Sequence, residues 1–128
     1  MDGVKVLRIG VAPAGYVKKR MIEIARGGKP SHGEPKVWVS SLDSLAKVLT
    51  ESNMRLLRQI KATSPQSLTE LARQSGRSLS NLSRTLHTLD RLGIVAFVEK
   101  ADGRKVPTVL YAKVQPVVDF AEARSEAA

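Results

Sequence analysis

A regular spacing of leucines in the middle of the chain restricts its fold more than any other feature. At about 100° per residue, this spacing predicts a helix that carries its leucines on one side. Ser78 is suited to cap the start of the helix, and Gly93 is suited to end it. The opposite side carries short polar and basic side chains, so we expect one buried face and one open face. The leucines of this stripe are Leu79, Leu82, Leu86, Leu89 and Leu92.

Two shorter helices are predicted before the leucine-rich helix. Thr50 can cap a helix that ends near Pro65. The tetrapeptide SLTE, from Ser67 to Glu70, is a capping box, in which the serine hydroxyl and the glutamate carboxylate satisfy each other's backbone donors. It opens the short helix LTELARQ, which Gly76 closes. The short helix is expected to pack against the long one and to fix it at a steep angle.

A β-hairpin is predicted after the leucine-rich helix. The segments IVAFVEK and KVPTVLYA are rich in residues that favour strands, and an Asp-Gly turn separates them. Pro107 cannot donate a hydrogen bond to a neighbouring strand, so its strand is expected at an edge. Three basic residues, Lys100, Arg104 and Lys105, lie around the turn against one acidic residue, Asp102.

The N-terminal part of the chain has a different pattern. Residues 4–11 alternate imperfectly between apolar and basic side chains, which favours a strand, and VWVS at 37–40 predicts a second one. Between them, Pro13 suits a first helical position, and Ser41 can cap a further brief helix. The sequence therefore predicts an α+β protein in three parts: a β-α-β extension at 1–40, a domain of helices and hairpin at 41–114, and a short amphipathic tail at 115–128.

The composition excludes several kinds of site. The chain of 128 residues has no cysteine, which excludes disulfides, thiolate metal sites and cysteine nucleophiles. No catalytic set of side chains emerges, and no loop resembles a phosphate- or cofactor-binding motif. His87 is expected to contact a phosphate or a base edge, or to be an inert surface residue, rather than to bind a metal, and His32 is the one other histidine in the chain. We therefore expect a protein that is not an enzyme and that uses no cofactor and no metal.

The net charge favours a polyanionic partner. The chain has 21 basic and 12 acidic residues, a formal charge of +9, which is typical of proteins that bind nucleic acid or a membrane surface. Aromatic residues make up only 4% of the chain, so platforms for stacking unpaired bases are scarce. No stretch of ~18 apolar residues predicts a membrane span, and the N-terminus lacks a signal-peptide pattern. We expect a cytoplasmic protein.

The order of the predicted elements is that of a winged helix-turn-helix domain. In such a domain, the outward face of the long helix enters the major groove of double-stranded DNA, where Asn81 can pair with adenine and Arg84 with guanine. Basic residues of the turn and the hairpin can reach phosphates. The candidate DNA-binding residues on the long helix are Ser78, Ser80, Asn81, Ser83, Arg84 and His87; those in the turn and wing are Arg73, Arg77, Lys100, Arg104 and Lys105.

The segment LTELARQSGRSLSNLSRTLHTLDRLGIV resembles the DNA-binding core of MarR-type winged helix-turn-helix transcriptional regulators. The shared pattern is L-x-x-L-A-x-x-x-G, then S-R-T-L-H-T-L, then LGIV before the wing, and the resemblance covers residues 50–112. It implies that the long helix is the recognition helix and that its outward residues face DNA. Leu79 departs from the pattern, because such proteins often carry a polar residue there. Leu79 either contacts a thymine methyl group or packs within the protein.

The N-terminal extension departs from ordinary MarR-type proteins, which begin with dimerising helices. Its layout resembles instead a smaller group of MarR-like regulators that are encoded beside TumE-type toxins, where they act as antitoxins. That resemblance implies an autoregulating antitoxin with a cognate toxin as its protein partner.

We expect a homodimer that represses transcription by occupying a promoter, because a single module contacts few base pairs. The extension is the expected dimer interface, since two-stranded pieces of sheet are marginal alone. Three alternatives stay open: a winged-helix adaptor that binds and neutralises a partner protein, a protein that binds double-stranded RNA, and a ligand-responsive regulator. The narrow groove of A-form RNA, which would not admit the long helix, argues against the second.

Overall fold

A computed structural model describes residues 5–29 and 34–118. Helices and strands are both well represented in these residues, so the protein belongs to the α+β class. No helix in the described ranges is both long and apolar enough to cross a membrane. In chain order the elements are β1 (Val6–Val11), α1 (Ala14–Ala25), β2 (Val37–Val39), α2 (Leu42–Val48), α3 (Glu51–Thr63), α4 (Leu68–Ser75), α5 (Leu79–Arg91), β3 (Val95–Glu99), β4 (Lys105–Val109) and β5 (Lys113–Val118).

Strand β1 is the centre of a three-stranded parallel sheet with the order β2-β1-β5. In this sheet, Ile9 of β1 lies opposite Val37 of β2 and Pro116 of β5. The sequence predicted a short amphipathic tail from residue 115, and this is wrong for residues 115–118, which belong to β5. A proline in a six-residue strand weakens the local strand signal, whereas pairing along the whole of β1 supplies the missing stabilisation. The remainder of the predicted tail, 119–128, lies outside the described residues.

A single hydrophobic core joins this sheet to the helices. Leu7 and Ile9 of β1 belong to the same buried cluster as Leu56 of α3 and Leu71 of α4. The cluster also contains three leucines of the predicted stripe, at positions 82, 86 and 89, each with 0% of its surface exposed. Residues from all three predicted parts of the chain therefore contribute to one sheet, and residues from the first two contribute to one core.

The two ends of the leucine stripe behave differently from its centre. Leu92 is half-buried against the core, but Leu79 is 50% exposed. Leu79 is the first residue of α5, so its side chain lies beyond the last buried turn of the stripe. The apolar face of α5 is thus shorter than the sequence pattern indicates.

The helix caps form as the sequence predicts. The Oγ of Ser67 accepts a hydrogen bond from the backbone N–H of Glu70 at 3.0 Å. The Glu70 carboxylate accepts one in return at 2.7 Å, from the N–H of Gln66 and not from that of Ser67 itself. At the other end of α4, Gly76 takes a left-handed conformation with φ +73°. Both ends of α4 are therefore fixed locally, the first by short-range hydrogen bonds and the second by a glycine.

The predicted hairpin is present as β3 and β4, which pair in antiparallel fashion. Phe97 lies opposite Pro107, and each strand is an edge because the sheet has two strands. At the turn, the backbone N–H of Lys100 donates to the carbonyl of Arg104 at 2.7 Å, and Gly103 has φ +89°. Hairpin and sheet are separate, and both rest on the common core through Val95, Val109 and Val114.

Helix α1 is held by side-chain contacts of Tyr16 and Arg20 and not by a buried face. The Nε–H and Nη2–H groups of Arg20 donate to the carboxylate of Glu34 at 2.5 and 2.6 Å, which raises the pKa of Arg20 above its usual value. The Tyr16 ring meets Trp38 edge-on at 5.7 Å, and Trp38 lies so close over Gly10 that no side chain fits at that position. None of the residues in α1 is buried.

Candidate nucleic-acid interface

The outward face of α5 is open to solvent. Ser80, Asn81 and Arg84 are exposed on this face, whereas Leu82, Leu86 and Leu89 on the opposite side are completely buried in the core. The Arg84 guanidinium has no hydrogen-bond or ion-pair partner in the described part of the chain. The structure therefore places an uncompensated cation between short polar side chains on a rigidly held helix.

The serines of α5 have different surroundings. Ser78 is the N-cap, and its Oγ accepts a hydrogen bond from the backbone N–H of Asn81 at 3.1 Å. Ser80 is exposed, but Ser83 is only half-exposed. Of these three serines, Ser78 is thus already engaged in capping the helix, and Ser80 has the side chain that is most available to another molecule.

His87 links α5 to the hairpin. Its Nδ1 lies 2.7 Å from the carbonyl oxygen of Ser83, and because a carbonyl only accepts, Nδ1 carries the proton. The imidazole ring also lies 5.4 Å from the ring of Phe97 in β3, tilted by 39°. Nε2 is left as the polar atom that His87 can offer to another molecule.

Arg77, in the turn between α4 and α5, connects three helices. Its Nη2–H groups donate to Ser52 and Asn53 in the first turn of α3, both at 2.9 Å. Its Nη1–H groups point to Asn81 and Thr85 of α5, both at 3.4 Å. The backbone N–H of Arg77 also donates to the last turn of α4, at the carbonyl of Ala72. Both terminal nitrogens of this predicted phosphate contact are therefore engaged within the chain.

The acceptor network around Arg77 continues into α3. The Asn53 side-chain nitrogen donates to the carbonyl of Val48 at 2.8 Å, which turns its Oδ1 toward Arg77. The Oγ1 of Thr50 caps the backbone N–H of Asn53 at 3.1 Å. Nothing in the local sequence around Arg77 indicates these partners, since they lie 24 and 25 residues earlier.

The basic residues of the hairpin differ in how far their charge is compensated. The Nε–H of Arg104 donates to the Asp102 carboxylate at 2.7 Å, and its backbone N–H donates at 3.1 Å, which lowers the pKa of Asp102. Lys105 is exposed and stands opposite Glu99 in the β3–β4 register. Lys100 is half-buried at the end of β3. The wing is thus less positive than its count of lysines and arginines indicates.

Arg73 is the other candidate in the turn. It lies in the last turn of α4, where the helix dipole favours a cation, and its side chain is exposed. It makes no hydrogen bond or ion pair within the described residues. Together with Arg84, it is a free arginine on the helix pair.

A comparison with protein families gives one match, and it covers this region. The model of the HVO_A0114 family matches residues 48–116, more than half of the chain. The chain belongs to the HVO_A0114 family. No curated protein and no solved structure matches it.

The HVO_A0114 match contains all of the candidate interface residues. It begins at the last residue of α2, includes α3, α4, α5 and the hairpin, and ends inside β5. The part of the chain that this family shares is therefore the helical core, its open α5 face and the hairpin. The resemblance to MarR-type regulators stays a prediction.

Proposed function

We propose that the protein is a sequence-specific double-stranded DNA-binding regulator of transcription. In this proposal α3, α4 and α5 with the β3–β4 hairpin form a winged helix-turn-helix domain, in which α5 is the recognition helix. The observation that carries the proposal is the open face of α5 around Arg84, held rigid by the buried leucines behind it. A helix of this kind fits the major groove, where base edges present a distinguishable pattern of donors and acceptors.

The residues of α5 would divide the contact with base edges. Arg84 is the candidate for a bidentate contact to guanine, and Asn81 is the candidate for adenine. The exposure of Leu79, at 50%, supports an apolar contact to a thymine methyl group. Ser80, exposed and short, would let the helix backbone come close to the groove.

The contacts to phosphate would come from the edges of this surface. Arg73 and Lys105 are exposed cations that are free to reach the DNA backbone. Lys100 and the Nε2 of His87 would supplement them, while Ser83, half-exposed, would lie at the margin. Arg77, Arg104 and Ser78 already bind within the chain, so we expect them to shape the surface more than to contact DNA.

We further propose that two copies of the chain act together as a repressor. A single helix contacts few base pairs, whereas a homodimer presents two recognition helices to half-sites about 34 Å apart. Occupying its own promoter would make the protein autoregulating, as the resemblance to the antitoxin group implies. A toxin encoded beside it would then be the cognate partner.

The test of DNA binding is selection of bound fragments from a random pool of duplexes, followed by fluorescence anisotropy with the enriched sequence. We expect an enriched motif that binds at least ~10³-fold more tightly than random DNA at physiological salt. Affinity should fall steeply with salt, because phosphate contacts release counterions. Recovery of no motif, with equal binding of selected and random duplexes, would refute the proposal.

A protein-binding adaptor is the second candidate, and the state of α1 favours it. Met21 and Ile22 are each 42% exposed on this helix, which buries no residue. Exposed apolar side chains on a helix without a buried face are available for contact with a partner protein. The test is co-purification with the product of the adjacent gene, comparing the parent chain with Ile22→Lys. An adaptor loses its partner in the variant and shows no site-selective DNA complex.

A further inference from the structure

A cleft opens on the side of the domain between α3 and the segment that leads from β4 into β5. Its volume is about 260 Å³. Ile94, 2% exposed, belongs to its lining, and Leu57 and Val114 pack against the core on either side. Leu49, Met54, Val109 and Ala112 complete the apolar part of the lining, which also contains one tyrosine and three basic residues.

The rim of the cleft is positively charged. Arg58 and Lys61 lie one turn apart on α3, and Lys113, the first residue of β5, lines the cleft from the β5 side. All three side chains are exposed, and none makes an ion pair in the described part of the chain. No aspartate or glutamate contributes to the lining. Positive charge above an aliphatic floor complements a molecule with an anionic head and an apolar body.

Tyr111 adds a neutral donor to this set. It is half-buried in the lining, and its hydroxyl has no hydrogen-bond partner among the described residues. A tyrosine hydroxyl can donate a hydrogen bond to a carboxylate. A bound anion would supply one.

We infer that this cleft binds a small organic anion with an aliphatic body, of which a medium-chain alkyl carboxylate is the simplest form. The volume lies just below the ~300 Å³ at which typical ligand pockets begin, so the occupant is small. The lining selects an alkyl chain and the three cations select the carboxylate. The inference is independent of DNA binding, since it uses no residue of the α5 face.

The experiment is a titration of the full chain followed by backbone amide resonances in NMR spectra. Three probes distinguish the contribution of the cations from that of the apolar lining. Octanoate carries a carboxylate and an alkyl chain, acetate carries the carboxylate without the long chain, and 1-octanol carries the chain without the charge. Octanoate should shift the amides of residues 57–61 and 109–114 in a saturable manner, and 1-octanol should bind about tenfold more weakly. Acetate should cause no saturable amide shift up to about 10 mM. This concentration is above the Kd for octanoate that follows from ordinary ligand efficiency.

Substitutions then assign the charge. Lys61→Gln and Lys113→Gln should each weaken octanoate binding about fivefold, because each removes one charge-assisted contact. Lys47→Gln is the matched control, since Lys47 is exposed on α2 and does not line the cleft. Equal affinity for octanoate and 1-octanol would overturn the inference. So would equal effects of Lys113→Gln and Lys47→Gln, or no saturable shift with octanoate up to about 10 mM.

Discussion

Replacing Arg77 by alanine tests whether the turn before α5 is held from a distance. In the folded chain, the guanidinium donates to Ser52 and Asn53 at 2.9 Å and lies 3.4 Å from Asn81 and Thr85. The variant loses all four contacts at once and leaves the Asn53 oxygen without its donor. We therefore expect a loss of stability that a surface arginine would not cause.

The expected magnitude follows from the geometry. Each of the two hydrogen bonds at 2.9 Å, which come from a charged donor, contributes about 1.5 kcal/mol to the stability. The two contacts at 3.4 Å are too long to contribute much. Against this, the cation lies at the N-terminal turns of α3 and α5, whose dipoles disfavour it by roughly 0.5 kcal/mol each. The net cost is about 2 kcal/mol. For a chain of this size that corresponds to a fall in Tm of roughly 7 °C.

The assay is thermal and urea unfolding of the parent chain and three variants. Arg73→Ala is the control, because Arg73 is an exposed arginine of the same region without a partner in the described residues, and it should change stability by less than ~0.5 kcal/mol. The stability of Arg77→Lys should lie between those of Arg77→Ala and Arg73→Ala. A lysine keeps the charge, but its ammonium group lacks the planar fork of donors with which the guanidinium reaches both helices. If Arg77→Ala and Arg73→Ala have the same stability, the hydrogen bonds to α3 contribute nothing and our reasoning fails.

Four further predictions follow from single residues. Arg84→Ala should cost roughly 1–3 kcal/mol at the selected DNA site and relax its sequence preference in anisotropy measurements, and an equal loss on random DNA would exclude a base contact. Lys105→Ala should weaken all duplexes alike and lower the slope of log K against log salt by about one; an unchanged slope would remove it from the phosphate contacts. Ser67→Ala should destabilise the fold by about 1 kcal/mol in urea unfolding, since α4 loses its cap, and no change would show that the cap is replaced by water. Leu86→Ala should cost about 3 kcal/mol in the same assay, and a loss below ~1 kcal/mol would contradict its complete burial.

Features set by neighbouring residues could be predicted from the sequence. The caps at Ser67 and Ser78 and the left-handed Gly76 depend on backbone groups within a few positions, so the local pattern suffices to place them. The buried centre of α5 follows from periodicity for the same reason. The stripe fails at Leu79, because periodicity gives the direction of a side chain but not where the neighbouring core ends.

Features that depend on distant partners could not be predicted in this way. Strand β5 forms because β1, more than a hundred residues away in the chain, offers a free edge, and its Pro116 removes the local signal. Arg77 resembles a phosphate contact in the sequence because its acceptors in α3 are not adjacent to it.

The sheet also changes the physical case for a dimer. We expected the N-terminal extension to pair across a two-fold axis, since two strands alone are marginal. In the folded chain, β5 supplies a third strand, and Leu7 and Ile9 are buried within the same molecule. Instability of the extension therefore gives no reason to dimerise. A dimer needs instead the surfaces that the fold leaves open. Among the described helices, α1 alone exposes two large hydrophobic side chains, Met21 and Ile22, so the Ile22→Lys variant that separates adaptor from regulator also tests dimer formation. If it remains dimeric, the interface lies elsewhere and α1 is left for another partner.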